Sequence, residues 1–332
     1  MPKAERLAFP QMRRTLLATV LVLVACSPGT EAADTTTSLN PTTSSDRNPT
    51  TIPAETTSTT AKSPTTTTLA TTTTIEATTT TTEVLDGNWA DQPLIVTGFG
   101  ALGWWDGSEW VRAEDEGALP VVGGEDYQIA VVGLQATTTG GPQALVCEPL
   151  FNLGVVLDND ELLGEWPGPY GVAISAPWDL QPNLFEPFAD DGTFAAIAAG
   201  LLAERGLVVA DPVIKQLFRT DLEGDGLNEI LVVAEEINGG FLPEEGDYSI
   251  IFMQKVVEGD VQTAVLGDSV VTDPEGSFAV GFSVGAVADL NGDGQMEIIV
   301  DSAFFEGLGV DVWEYVDDDI GLFPYLQTGC GG

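Results

Sequence analysis

One acidic loop, written twice, constrains this chain more than any other feature. The first copy reads Asp221-Leu222-Glu223-Gly224-Asp225-Gly226-Leu227-Asn228-Glu229. The second, 68 residues later, reads Asp289-Leu290-Asn291-Gly292-Asp293-Gly294-Gln295-Met296-Glu297. In each copy an apolar, β-branched run enters the loop and another leaves it. A third run follows (Tyr248–Val256 and Val310–Tyr315), then a fourth (Val261–Leu266 and Leu322–Gln327). Each copy is therefore expected to be one antiparallel four-stranded unit, the texture of a propeller blade.

The loops offer oxygen donors at positions 1, 3, 5 and 9. These are Asp221, Glu223, Asp225 and Glu229 in the first loop, and Asp289, Asn291, Asp293 and Glu297 in the second. Leu227 and Gln295 stand at position 7 and can add a backbone carbonyl. Glycines at positions 4 and 6 permit the left-handed turns that fold the oxygens inward. Hard oxygen donors without nitrogen or sulfur favour Ca²⁺ over Zn²⁺ or Cu²⁺. Carboxylates about 4 Å apart repel by roughly 1–4 kcal/mol per pair at surface dielectrics, and a divalent ion relieves that. Two calcium sites are expected, structural rather than catalytic. The alternative is a pair of solvated Asp-Gly turns.

An EF-hand starts with the same spacing but needs a carboxylate at position 12 and flanking helices. Position 12 is Val232 in one copy and Val300 in the other, each inside an apolar run, so that motif is excluded. The pattern instead resembles the FG-GAP/VCBS repeat, over about residues 214–270 and 279–327. That resemblance implies calcium loops between blade strands, as in integrin-α-like propellers. Two blades cannot close a ring, and residues 83–332 have room for about four. The expected fold is mainly β: blade-like antiparallel repeats, a small or partial propeller, and one short helix near 191–205.

That helix is expected because Phe194, Ile197, Leu201 and Leu202 share one face. Asp190 or Asp191 offers an N-cap and Gly206 a stop. Other short runs read as strands: Leu94–Thr97, Tyr127–Leu134, Gly171–Ser175, Ile230–Glu235, Phe278–Ala288 and Glu297–Phe304. Trp104 to Trp110 reads as a hairpin turning at Asp106-Gly107, its three Trp packing the hairpin.

The N-terminal region is an address and a tether. Arg13 and Arg14 precede an apolar run, Thr15–Ala25, too short to span a bilayer but suited to an export signal. Met12 makes a tidier start for such a signal than Met1. The run ends Leu23-Val24-Ala25-Cys26, which resembles the lipobox of bacterial lipoproteins. The resemblance implies that residues 1–26 are a signal ending at a lipidated Cys26. An ordinary secretory signal is the alternative. Residues 27–82 are Thr-rich, with Pro, Ser and Ala and few large apolar groups. Such a segment is expected to stay disordered. Its Thr-rich part, 30–82, reaches about 180 Å when stretched. Residues 83–332 then form a folded, acidic β domain displayed in or beyond the cell wall.

The formal charge of −40 sits wholly in that domain, whose basic residues are Arg112, Arg205, Lys215, Arg219 and Lys255. Such a surface repels phosphate backbones, so nucleic acid is excluded as a partner. The chain has no His, which rules out Ser-His-Asp catalysis and His-ligated metals. With Cys26 lipidated, Cys147 and Cys330 are left as an even pair, read as a disulfide outside the cytoplasm or else as two thiols. A disulfide closing so long a loop stabilises by about 5 kcal/mol in the chain-entropy model.

The expected function is a lipid-anchored, surface-displayed calcium-binding β module with a non-catalytic binding or structural role. Its partners are expected to be the membrane, through the Cys26 lipid, and an envelope protein or glycan. The alternative is a carboxylate-dependent envelope hydrolase of the glycosidase type, drawing on Glu165, Asp179, Glu186 and Asp190 in the aromatic stretch Trp166–Phe194.

Overall fold

Short β-branched and aromatic runs, each stopped by Gly, Asp, Asn or Pro, become sixteen strands among the described residues. This computed structural model describes residues 85–148, 151–164, 169–182, 184–190, 192–239, 242–305, 307–316 and 321–331. Of residues 315, 316 and 321–325 it describes the backbone alone. The signal with Cys26, the tether and Glu165 lie outside the described residues.

The strands make three antiparallel sheets. The first contains β1 (Leu94–Thr97), β2 (Gly100–Trp105), β3 (Trp110–Arg112), β4 (Asp126–Val131), β5 (Leu134–Val146), β6 (Asn152–Leu157) and β7 (Val172–Ile174). Their order is β3-β2-β1-β7-β4-β5-β6, with β7 inserted between β1 and β4. The second sheet contains β8 (Phe185–Pro187), β9 (Ile214–Thr220), β10 (Glu229–Glu236), β11 (Tyr248–Val257) and β12 (Asp260–Val270), paired in sequence order. The third is β13 (Gly281–Ala288), β14 (Glu297–Phe304), β15 (Gly307–Val316) and β16 (Gly321–Gly331), again in sequence order. Each acidic-loop copy thus forms a four-stranded meander, the first extended by β8. Among the described residues the sheets do not close into a propeller ring.

The cores show why the central strands are apolar without alternation. In β10, Leu231 and Val233 pack with Val284, Ile298 and Val300 of the third sheet. Val232 and Ala234, on the opposite face, pack with Phe252, Ala198 and Leu202. In β14, Ile298 and Val300 face the second sheet, while Ile299 joins Ile95, Leu102 and Ile174 of the first. A strand buried on both faces must be apolar throughout. The layers therefore run first sheet, third sheet, second sheet, helix.

Among the described residues the single α-helix, α1 (Thr193–Glu204), covers the outer face of the second sheet through Ala198 and Leu202. Its N-cap is Gly192, at φ 95°, rather than an Asp. The Asp190 carboxylate still does the capping from upstream, accepting the backbone N–H groups of Phe194 (3.1 Å) and Ala195 (2.9 Å). At the other end the Gly206 N–H donates to Ala203 O (3.1 Å) and the Leu207 N–H to Leu202 O (3.0 Å). That pairing is a Schellman stop.

The Trp hairpin forms as expected, with Trp105 opposite Trp110 and their rings edge-to-face at 5.2 Å. Asp106 Oδ1 accepts the N–H groups of Ser108 and Glu109 at 2.8 and 2.9 Å and holds the turn. Cys147 and Cys330 are disulfide-bonded, with Cα atoms 5.6 Å apart, tying the end of β5 to β16.

Candidate metal centre

Each acidic loop is the turn of a hairpin, β9 to β10 and β13 to β14. Thr220 opposite Glu229 closes the first, and Ala288 opposite Glu297 closes the second. The chain reverses through left-handed backbone at Gly224 (φ 69°) and Gly226 (φ 84°), and at Gly292 (φ 80°) and Gly294 (φ 85°). A side chain at these positions would be strained, which is the reason for the Gly-Asp-Gly core.

Both turns are built around their first and ninth residues. Asp221 accepts the backbone N–H groups of Asp225 and Gly226, each at 3.1 Å. Asp289 accepts those of Gly292 (2.6 Å) and Gly294 (3.0 Å). Glu229 reaches back to the Leu222 N–H at 3.0 Å, and Glu297 to the Leu290 N–H at 2.7 Å. These four carboxylates are buried, between 1% and 5% exposed, together with Leu222 and Leu290. The leucines explain why position 2 is apolar in both copies: each fully buried side chain contributes about 2 kcal/mol.

The remaining donors lie further out. Asp225, Leu227, Asp293 and Gln295 are exposed, while Glu223 and Asn291 are half-buried. Asp225 Oδ1 accepts the Leu227 N–H and Asp293 Oδ1 the Gln295 N–H, both at 2.7 Å. Asn291 Nδ2 donates to Asp293 Oδ2 at 3.2 Å. Among the described residues no three carboxylates converge as a ready cage for a metal ion. The ten candidate residues thus split into a buried inner pair and an outer rim in each turn.

The two turns touch. The Met296 N–H donates to Leu222 O across them at 2.8 Å. One segment braces both: the Asp289 N–H donates to Leu180 O (3.0 Å) and the Asp221 N–H to Leu184 O (3.2 Å). The Trp178 indole N–H donates to Asp289 O at 2.9 Å.

Electrostatics separates the turns. Lys255 on β11 is 7% exposed and its Nζ lies 2.7 Å from Glu223. Burial raises the Glu229 proton affinity, while the Leu222 N–H and then Lys255 draw it down. Register places Lys255 opposite Glu229, one residue beyond the Ile230–Gln254 pair. The same step in the second copy, beyond Ile298–Trp313, puts Glu314 opposite Glu297. Where the first copy has a lysine, the second has another carboxylate.

The consequences are visible in the second turn. Burial pushes Asp289 up to about 6, against the Gly292 and Gly294 N–H groups, and Asp293 adds to the rise. Glu297 stands well above its ordinary value, chiefly through burial, with Asp289, Asp293 and Glu314 adding repulsion. Glu314 is raised by burial, with Asp293 again adding. None of the groups acting on these three is a cation. Sequence reasoning missed Lys255, Glu314 and Trp178, because only strand register and the brace bring them to the turns.

Of the carboxylates considered for hydrolysis, the three among the described residues each hold a structural partner. Asp179 is exposed and accepts the Gln181 N–H (3.1 Å). Glu186 is exposed and pairs with Arg219 at 3.4 Å. Asp190 caps the helix. The chain matches no protein-family model, no curated protein and no solved structure.

Proposed function

We propose that this chain is a lipid-anchored, surface-displayed β module that binds calcium through its two acidic turns and serves a non-catalytic binding or structural role. One observation carries the reading. Burial raises the proton affinity of Asp289, Glu297 and Glu314, the Asp293 charge adds to the rise of each, and no cation acts on the three. An oxygen-only donor set under mutual repulsion suits a hard divalent ion. Calcium would draw in the rim donors Asn291 and Asp293 and the Gln295 carbonyl around Asp289 and Glu297. Asp221, Glu223, Asp225, Glu229 and the Leu227 carbonyl would form the first site, weakened by the Lys255 ammonium at Glu223.

The two meanders are read as FG-GAP/VCBS-like blades stacked into a partial propeller. The lipobox at Cys26 and the Thr-rich tether support display from the bacterial cell membrane into or beyond the wall. The partner is an envelope protein or glycan. The hydrolytic reading is weakened because Asp179, Glu186 and Asp190 each already hold a structural partner.

Thermal melting of the full chain tests the proposal. At calcium 100-fold above its dissociation constant the native state gains about 2.7 kcal/mol, so the melting temperature rises and chelator reverses it. An unchanged melting temperature at about 10 mM calcium, well above the range of weak extracellular sites, contradicts it.

A further inference from the structure

The inner face of β10 joins the second sheet to the third through Leu231 and Val233, packed against Val284 and Val300. Side chains two apart on a strand share a face, so the next inward residue is Glu235. There the sheets part around a cavity of about 450 Å³, bordered by Val233, Glu235, Phe282 and Phe304. No residue of the acidic turns lines it. A carboxylate aimed between two sheets breaks the apolar pattern of that face, and such breaks gather at functional sites.

β9 breaks its own pattern at the same place. Its pairing with β10 slips between Val233, opposite Gln216, and Ala234, opposite Ile214, so Lys215 is an extra residue in the ladder. Consecutive residues of a regular strand face opposite ways, yet Lys215 and Gln216 both line the cavity. The bulge brings the lysine to the side of the carboxylate.

The Glu235 carboxylate lies against Gly281, another lining residue, where a Cβ would stand 2.9 Å from Oε2. Burial raises the Glu235 proton affinity, and the Ser249 hydroxyl, at 3.1 Å, and then Lys215 draw it down. Among the described residues the exposed Lys215 closes no ion pair. The two charges thus act on each other without touching. Asp301 also borders the cavity but does not offer its charge. Its Oδ2 holds the Ser283 hydroxyl (2.6 Å) and the Tyr170 N–H (3.0 Å), and its Oδ1 is buried.

We propose that this cavity binds a free α-amino acid with an aromatic side chain. Its ammonium group meets Glu235, its carboxylate meets Lys215, and its ring lies against Phe282 and Phe304. A simple amine is repelled by Lys215 and a simple carboxylate by Glu235, whereas a ligand carrying both charges side by side gains from each. The aromatic walls favour an aromatic side chain over a polar one. This proposal stands independently of calcium.

Calorimetric titration of the full chain with phenylalanine, in chelator at neutral pH, tests it. Phenethylamine, which lacks the carboxylate, and hydrocinnamate, which lacks the ammonium group, are the controls. Phenylalanine is expected to bind in about the millimolar range, at least about tenfold tighter than either. Lys215→Met, at an exposed residue, is expected to weaken phenylalanine at least about tenfold and to leave phenethylamine no weaker. Glu235→Gln is expected to cost a similar factor, and Phe304→Ala, at a residue 41% exposed, several-fold. Asp260→Asn, on an exposed strand end, leaves affinity unchanged. Should Glu235→Gln fail to fold, Lys215→Met decides. Absence of binding, or phenylalanine held no tighter than either control, overturns the proposal. So does phenylalanine affinity that survives Lys215→Met.

Discussion

The two acidic turns share one backbone design but face opposite charges on the neighbouring strand. Each has a buried aspartate at position 1, a buried glutamate at position 9, left-handed glycines at 4 and 6, and an apolar residue at 2. Opposite the position-9 glutamate, the first copy presents Lys255 and the second Glu314. One difference on a neighbouring strand therefore decides whether the turn faces a protein cation or another carboxylate. The hairpin backbone is the same with either residue there, whereas the charge balance is not.

The largest expected effect comes from removing the protein cation. Lys255→Met leaves Glu223 and Glu229 without their ammonium. Stripping one partner from a buried pair costs about 3–5 kcal/mol, discounted here because Glu223 is 22% exposed. Denaturant melts in chelator should show the loss, and calcium should restore part of it. Stability that is unmoved in chelator would mean that the first turn does not lean on Lys255.

A smaller effect follows from pH. The third sheet holds Asp301, lifted by burial to about 6. An acid whose folded pKa is raised destabilises the native state when ionised. Its contribution is therefore least favourable above about pH 6 and improves as pH falls toward its unfolded value. The gain for Asp301 is about 3 kcal/mol at most. Melting temperatures in chelator should rise between pH 7 and pH 5, and less steeply in Asp301→Asn. A fall over that range in the wild-type chain would contradict the assignment.

The turn glycines sharpen the comparison further. Gly226→Ala meets open space, so its expected loss is the left-handed strain alone, about 1 kcal/mol. Gly292→Ala adds a methyl group 3.2 Å from the Trp178 ring, so its loss is expected to be larger, about 2 kcal/mol. Equal losses would mean that the Trp178 brace yields freely. The smallest effect is expected from Glu314→Lys, which gives the second copy the charge of the first. It should stabilise the chelated protein by about 0.5 kcal/mol and reduce the stabilisation that calcium brings.

Much of this was legible in the sequence. The loop spacing located both turns, and β1 and β14 fall where their runs begin and end. The meanders follow from the order of apolar runs, since sequential strands pair locally. The helix was legible from its apolar face and Gly206, although its cap comes from Asp190 acting past Gly192. β5 was missed because Gly140-Gly141-Pro142 interrupt it. The strand absorbs them with an irregular register between Gly140 and Gln143. Insertion of β7 between β1 and β4 is a long-range pairing that no local pattern specifies. Lys255 and Glu314 were illegible for the same reason, since their relation to the turns exists only through register.

Equilibrium dialysis of the full chain against labelled calcium, beside Asp289→Asn/Asp293→Asn, is the most direct measurement of the central claim. Saturable binding in about the millimolar range, with the tighter site lost in the double variant, is the predicted result. Binding that never saturates, or that the double variant retains in full, would show that the acidic turns are charged surface and nothing more.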